Sequence, residues 1–307
     1  MSFSNVGIFG GGGNTNYTDK YNFDNDIVTP GTSLSLASEF LAATGNTKEG
    51  IFSGGFSFSN GSIVNYTEKY TYFNDAVTPG TALSTNKYLL AATSCTVFGL
   101  FGGGFNEDIG SDETIDKYIY LTDSVTPGTS LGVAVDYSAA VSNPIIAIFS
   151  GGKNTTNITI TKNYKYSNDV VTDGESLGIA RHGLAAVGNS TVGIFGGGCV
   201  VNVSVNYTDK YIYSSNTVIP GTVLNNSVFG LAAAGNSLNG LFGGGHLTTN
   251  YTNMYKFSTD VVIPGTSLGM ARSGLAATSS LPGGQLNIRT HDGSWLHNGA
   301  YTHNEVV

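Results

Sequence analysis

Charge is sparse in this chain. Its 307 residues include 13 Lys and Arg against 21 Asp and Glu, a net charge of −8. Scattered cations in that number cannot form the clustered basic surface on which nucleic-acid affinity rests, so no nucleic-acid partner is expected. Cysteine occurs only as Cys95 and Cys199, too few for a disulfide framework and read as two unpaired thiols. No apolar run reaches 18 residues, which removes a membrane-spanning helix and leaves no membrane insertion expected. The first residues, MSFSNVGIFG, have neither the basic start nor the apolar core of a signal peptide, so export by that route is not expected. Long helices are excluded as well, because Gly, Pro or Asn interrupts every stretch with helical spacing.

Catalytic signatures are equally short in supply. Histidine occurs at His182, His246, His291, His297 and His303, with no His-Glu-x-x-His or Cys-x-x-Cys spacing and no G-x-S-x-G elbow. His182 beside Arg181 reads as a surface pair rather than a catalytic one. Glu107, Asp108, Asp112 and Glu113 form the one acidic cluster, but their spacing does not match an EF-hand loop, so calcium is the lesser reading. The expectation is a non-enzyme with no catalytic residues, no metal and no cofactor.

What abounds is Gly, 43 in all, together with 17 Tyr and 16 Phe set among Ser, Thr and Asn. Residues 7–21, GIFGGGGNTNYTDKY, begin like a phosphate loop, a short apolar strand followed by four glycines. No helix follows them, and the phrase returns. Aligned on Phe9, Phe52, Phe101, Phe149, Phe195 and Phe242, six copies succeed one another at spacings of 43, 49, 48, 46 and 47 residues. Such periods belong to propeller blades and helical arrays. A Tyr (Tyr21, Tyr70, Tyr118, Tyr164, Tyr211, Tyr255) always precedes a Leu (Leu34, Leu83, Leu131, Leu177, Leu224, Leu268) by 13 residues. Seven residues later stands the opening of a Leu-Ala-Ala phrase, at Leu41, Leu90, Ser138, Leu184, Leu231 and Leu275. The next Phe follows 11 residues on, and only the Phe-to-Tyr interval varies, from 12 to 18. All length variation therefore sits in the connection directly after the glycines.

Each constant segment reads as a strand. VGIFGG is short and apolar; NYTDKYNF alternates Tyr17, Asp19, Tyr21 and Phe23 against Thr18, Lys20 and Asn22, with period two. DIVTPGTSL carries a Pro-Gly turn signal at Pro30-Gly31, and FLAATGN ends in the Gly-Asn of a hairpin. Four short strands in each of six repeats predict an all-β, six-bladed β-propeller of four-stranded antiparallel blades. The sequence opens on a second strand, near Val6, and its last repeat leaves a first strand, 274–278, unpaired. Pairing the two in one blade would close the ring and hide both edges, whereas a solenoid would need polar caps. Two regions are expected: a propeller over 1–280 and a C-terminal extension, 281–307.

The double glycines Gly10-Gly11, Gly54-Gly55, Gly102-Gly103, Gly151-Gly152, Gly196-Gly197 and Gly243-Gly244, with the downstream Tyr, resemble the kelch-repeat family over about residues 3–280. The place of the kelch Trp is taken by Val28, Val77, Val125, Val171, Val218 and Val262, so this is a divergent, kelch-like branch. The resemblance implies blades whose strands run from the axis outward. The Ala-Ala pairs then fall on the crowded innermost strands, and the variable loops emerge on one rim with the blade-to-blade connections. Those loops are 12–16, 56–64, 105–114, 153–160, 199–205 and 246–250. Variable loops on a fixed scaffold are where recognition commonly resides. Their Asn, Ser, Thr and occasional aromatics suit a sugar or a protein surface. Candidate binding residues are Phe56, Phe58, Asn60, Phe105, Asn106, Glu107, Asp108, Lys153, Asn154 and His246.

Residues 281–307 break the repeat and hold the single Trp. The piece LNIRTHDGSW resembles short Asp-Gly-Ser-Trp segments of bacteriophage tail and virion proteins, and the uncharged Thr/Asn/Gly-rich repeats resemble kelch-like propellers encoded by phages and other viruses. The resemblance implies a virion protein, such as a tail-fibre component, that recognises a host-surface glycan or protein. Trp295, His297 and Tyr301 are then candidates for docking to other virion subunits. A structural or connector protein of a virion is the alternative, and a cytoplasmic kelch-like interaction scaffold a further one.

Overall fold

Period-two patterning, turn residues at regular intervals and the absence of helical spacing have one outcome: the fold is all-β. A computed structural model describes residues 5–246 and 249–280, and these contain no helix, so none is long and apolar enough to cross a membrane. They form six four-stranded antiparallel sheets in a propeller-like arrangement. Each sheet repeats one order, illustrated by Ala91–Ser94, Phe98–Gly102, Ile115–Ile119 and Ser124–Pro127. The sheet containing Val6–Gly10, Thr18–Asn22 and Ile27–Pro30 takes its remaining strand from Ala276–Ser279, with Gly7 opposite Ser279 and Gly10 opposite Ala276. Trp295, His297 and Tyr301 lie outside the described residues.

Burial follows the sequence pattern. Phe9, Phe52, Phe101, Phe149, Phe195 and Phe242 are 0–2% exposed, and the six anchor tyrosines are 0% exposed. In each copy the second Ala of the Ala-Ala pair (Ala43, Ala92, Ala140, Ala186, Ala233, Ala277) lines one common cavity of about 90 Å³. Six strands converge there, and larger side chains would collide. The Pro-Gly pairs do not make the expected turn: Pro79-Gly80 and Pro264-Gly265 lie within outer strands, Pro79 opposite Glu68. An outermost strand has one side without a partner, so proline's missing N–H costs no ladder bond there.

The sheets are clasped to one another by charge. Lys20, Lys69, Lys117 and Lys210 each reach an aspartate of the following sheet, Asp75, Asp123, Asp169 and Asp260, at 2.5–2.8 Å. Where Lys is replaced by Asn163, the acceptor is Asn216, 3.1 Å away. These acceptors, with Asp26, all adopt φ of 49–56°. Asn and Asp tolerate that left-handed conformation better than other residues with a side chain, which explains their recurrence five residues past the Tyr.

A second matched set lies two residues past the anchor Tyr. Tyr72 shares a hydrogen bond with Thr278 at 3.0 Å, while Phe23 packs with Ala234 and Phe257 with Val187. Tyr213 breaks the match: it faces Val141, and its buried hydroxyl has no partner. Removing a buried unsatisfied hydroxyl relieves a desolvation cost of about 1–3 kcal/mol. Tyr213→Phe is therefore expected to stabilise the protein by about 1 kcal/mol, measured as a higher denaturant midpoint at unchanged slope.

Candidate ligand-binding face

The double glycines carry the chain from each second strand onto one face. Gly152 has φ +97°, and a Cβ there would meet Asp136 O at 2.6 Å and Ser138 N at 2.9 Å. Its N–H donates to Arg181 O of the next connection (2.9 Å), and Gly104 donates likewise to Val135 O (2.8 Å). The opening GIFGGGG phrase is thus a packing device, where backbone crosses backbone too closely for a side chain.

The exit loops are not free turns. Phe56–Ser57 pairs with both Ser62–Ile63 and the connection strand Ser38–Glu39. Tyr88 bridges Phe105, Asp136 bridges Lys153, and His182 bridges Cys199. His246 N–H donates to Phe229 O at 2.7 Å. Loops and connections therefore form one joined surface.

Nearest the axis, the six connections bond in succession. Phe40 N–H donates to Gly274 O (2.6 Å), Leu89 to Phe40, Tyr137 to Leu89, Gly183 to Tyr137, Gly230 to Gly183, and Gly274 to Gly230. All six residues hold left-handed φ of 54–66°. Three repeats meet this demand with glycine, and three carry Phe40, Leu89 and Tyr137 at a strain of order 1–3 kcal/mol each. Strain retained for a bulky side chain points to work done by that side chain.

Two of them, Phe40 and Tyr137, belong to an arc of seven rings. Phe105 meets Tyr88 edge-on (5.6 Å between centroids), Tyr88 meets Phe40 (6.3 Å), and Phe40 meets Tyr137 (5.8 Å). Tyr137 meets His182 (5.3 Å), His182 approaches Phe229 (6.2 Å), and Phe229 stacks on His246 (4.4 Å). Two of the arc's rings, Phe40 and Tyr137, line an axial depression of about 70 Å³ together with leucines, glycines and Ser138. Burial pushes the Tyr137 phenol up to about 12 and the His182 imidazole down, so both are neutral at pH 7. His182 Nδ1 lies 2.8 Å from Asn157 Oδ1.

Of the residues expected from sequence, Phe105 and His246 belong to this arc. Phe56 and Phe58 form a separate edge-on pair (5.1 Å), with Phe58 44% exposed. Asn106 donates to Asn86 O and Asn154 to Ala134 O, both at 3.1 Å, so these two brace the loops. Asn60, Glu107, Asp108 and Lys153 are exposed. Phe40, Tyr88, Tyr137 and Phe229 were missed because they lie in constant-length connections. Their signal was a large residue at or beside the place just before Leu-Ala-Ala where other repeats carry Gly.

Two expectations are corrected. Arg181 is not on the surface: it is 0% exposed, donates to Gly197 O (2.9 Å) and Phe195 O (3.1 Å), and pairs with Asp209 at 2.5 Å. The acidic cluster is divided, because Asp112 is buried against Lys87 at 2.8 Å while Glu107 and Asp108 stay in solvent. Among the described residues no group of three or more His, Cys, Asp or Glu side chains is placed to hold a metal ion. No protein-family model matches the chain, and no curated protein matches it significantly.

Proposed function

We infer that residues 5–280 are a closed, six-bladed, kelch-like propeller that binds neutral carbohydrate on its aromatic face without altering it. Closure is supported by the succession of axial hydrogen bonds and by the pairing of Val6–Gly10 with Ala276–Ser279. The observation that carries the binding reading is the seven-ring arc, held partly by large residues in a backbone conformation that glycine adopts without strain. Aromatic rings with neutral polar neighbours match the apolar faces and hydroxyl edges of sugars. The resemblance of the repeats to virus-encoded propellers supports a virion setting, with a glycan of the host surface as ligand.

A glycan array probed with the wild-type chain and with Phe229→Ala tests this. The variant is expected to lose binding roughly several-fold, consistent with removal of one well-placed ring contact. Replacing residues 56–64 by the short 12–16 loop tests whether the rim extends the site. Equal binding by all three proteins would sink the reading.

A connector role in a virion is the second reading, favoured by exposed apolar side chains at the opposite ends of the strands. Phe73 is 81% and Leu121 93% exposed in the hairpins between third and outermost strands. Apolar side chains left so open can mark a contact surface.

A further inference from the structure

Ser138 stands where the other five repeats carry Leu41, Leu90, Leu184, Leu231 and Leu275. It is 8% exposed, lines the axial depression, and its Oγ has no hydrogen-bond partner. Buried hydroxyls are nearly always satisfied, so an orphan one needs a reason. Two residues earlier Asp136 is 6% exposed; its Oδ2 accepts from Ser111 Oγ (2.7 Å), yet its Oδ1 has no partner. Between them Tyr137 occupies the left-handed conformation and turns one ring of the arc toward the depression. Corresponding tripeptides such as Tyr88-Leu89-Leu90 and Phe229-Gly230-Leu231 have no such pair of unpartnered polar atoms.

We propose that Tyr137 and Ser138 form the primary sugar subsite, with the Ser138 hydroxyl binding the exocyclic hydroxymethyl group of a neutral hexose. The inference rests on the carbohydrate reading above and adds the chemical class and the anchoring group. Size favours the smallest part of the sugar, since a depression of about 70 Å³ admits a hydroxymethyl group. The ring remains at the mouth, beside the Tyr137 and Phe40 rings. No charged side chain lines the depression, so nothing there compensates a phosphate or carboxylate.

Ligand-observed NMR on the full chain tests the subsite with methyl α-D-mannoside, methyl α-D-glucoside and their 6-deoxy counterparts. At least one hydroxymethyl sugar is expected to bind, and its 6-deoxy form to bind roughly tenfold or more weakly, because the serine hydroxyl is left unpaired. Ser138→Leu is expected to lose the same factor while melting no lower than wild type, since five repeats already accommodate leucine; Ser138→Ala provides a smaller variant with the same expected loss. Equal binding of the hydroxy and deoxy sugars, or wild-type binding by both serine variants, overturns the subsite. If Phe229→Ala then loses glycan binding, the aromatic-face reading survives without it. If the wild type binds none of the four glycosides and no glycan on the array, both fall.

Discussion

Arg272→Val is expected to destabilise the protein by about 3–5 kcal/mol, because it leaves Asp19 as a buried charge with no cation. Both residues are 0% exposed, with Arg272 Nη1 2.8 Å from Asp19 Oδ2. Arg272 also donates to Phe9 O (2.9 Å), and Asp19 Oδ1 accepts from Gly269 N–H (2.9 Å). Desolvation lowers the pKa of the guanidinium, opposed by the aspartate beside it, so neither charge is comfortable alone. The chain contains its own control. In the corresponding places of another sheet stand Val228 and Asn253, and Asn253 Oδ1 accepts from Asn225 N–H at 2.9 Å. Arg272→Val with Asp19→Asn copies that solution and is expected to recover most of the loss. Urea unfolding of the single and double variants measures the coupling, and a double variant no more stable than Arg272→Val would show that charge burial is not the cause.

Gly152→Ala is expected to cost roughly 3 kcal/mol or more. Its φ of +97° lies outside what a residue with a Cβ adopts cheaply, and the added carbon would stand 2.6 Å from Asp136 O and 2.7 Å from Val135 Cγ2. Asp136 O and Ser138 N, the latter at 2.9 Å, are backbone atoms of one connection, so relief means moving the connection itself. Gly61 provides the comparison: φ is +63°, yet nothing lies within 4 Å of its Cβ position. Gly61→Ala should cost only about 1 kcal/mol, the left-handed backbone term alone. Comparable losses at the two positions, read from thermal midpoints, would show that crowding between connections does not matter.

Much of the fold was legible because the repeat is written six times. Constant spacing between Phe, Tyr, Leu and Ala-Ala identified the strands, and period-two patterning in 17–23 separated buried Tyr21 from half-buried Lys20 and Asn22. The candidate site was legible only in part. Loop-length variation pointed to the end of the sheets that carries the arc, and to Phe105 and His246 within it, but it is blind to residues in segments of fixed length. Arg181 illustrates the other limit. Beside His182 it reads as a surface residue, and only Asp209, 28 positions away in sequence, makes its burial tolerable.

The sequence by itself determined the strand class, the repeat, and where side chains must be small or absent, since these follow from local periodicity and steric demands that recur in every copy. Tertiary structure alone decided which charges are buried in pairs, that the six connections bond in succession, and that Phe105, Tyr88, Phe40, Tyr137, His182, Phe229 and His246 form one arc. The reason is distance along the chain. These contacts join residues from successive repeats, and a pattern repeated every 43–49 residues does not say which variant side chains will face each other once the sheets are packed.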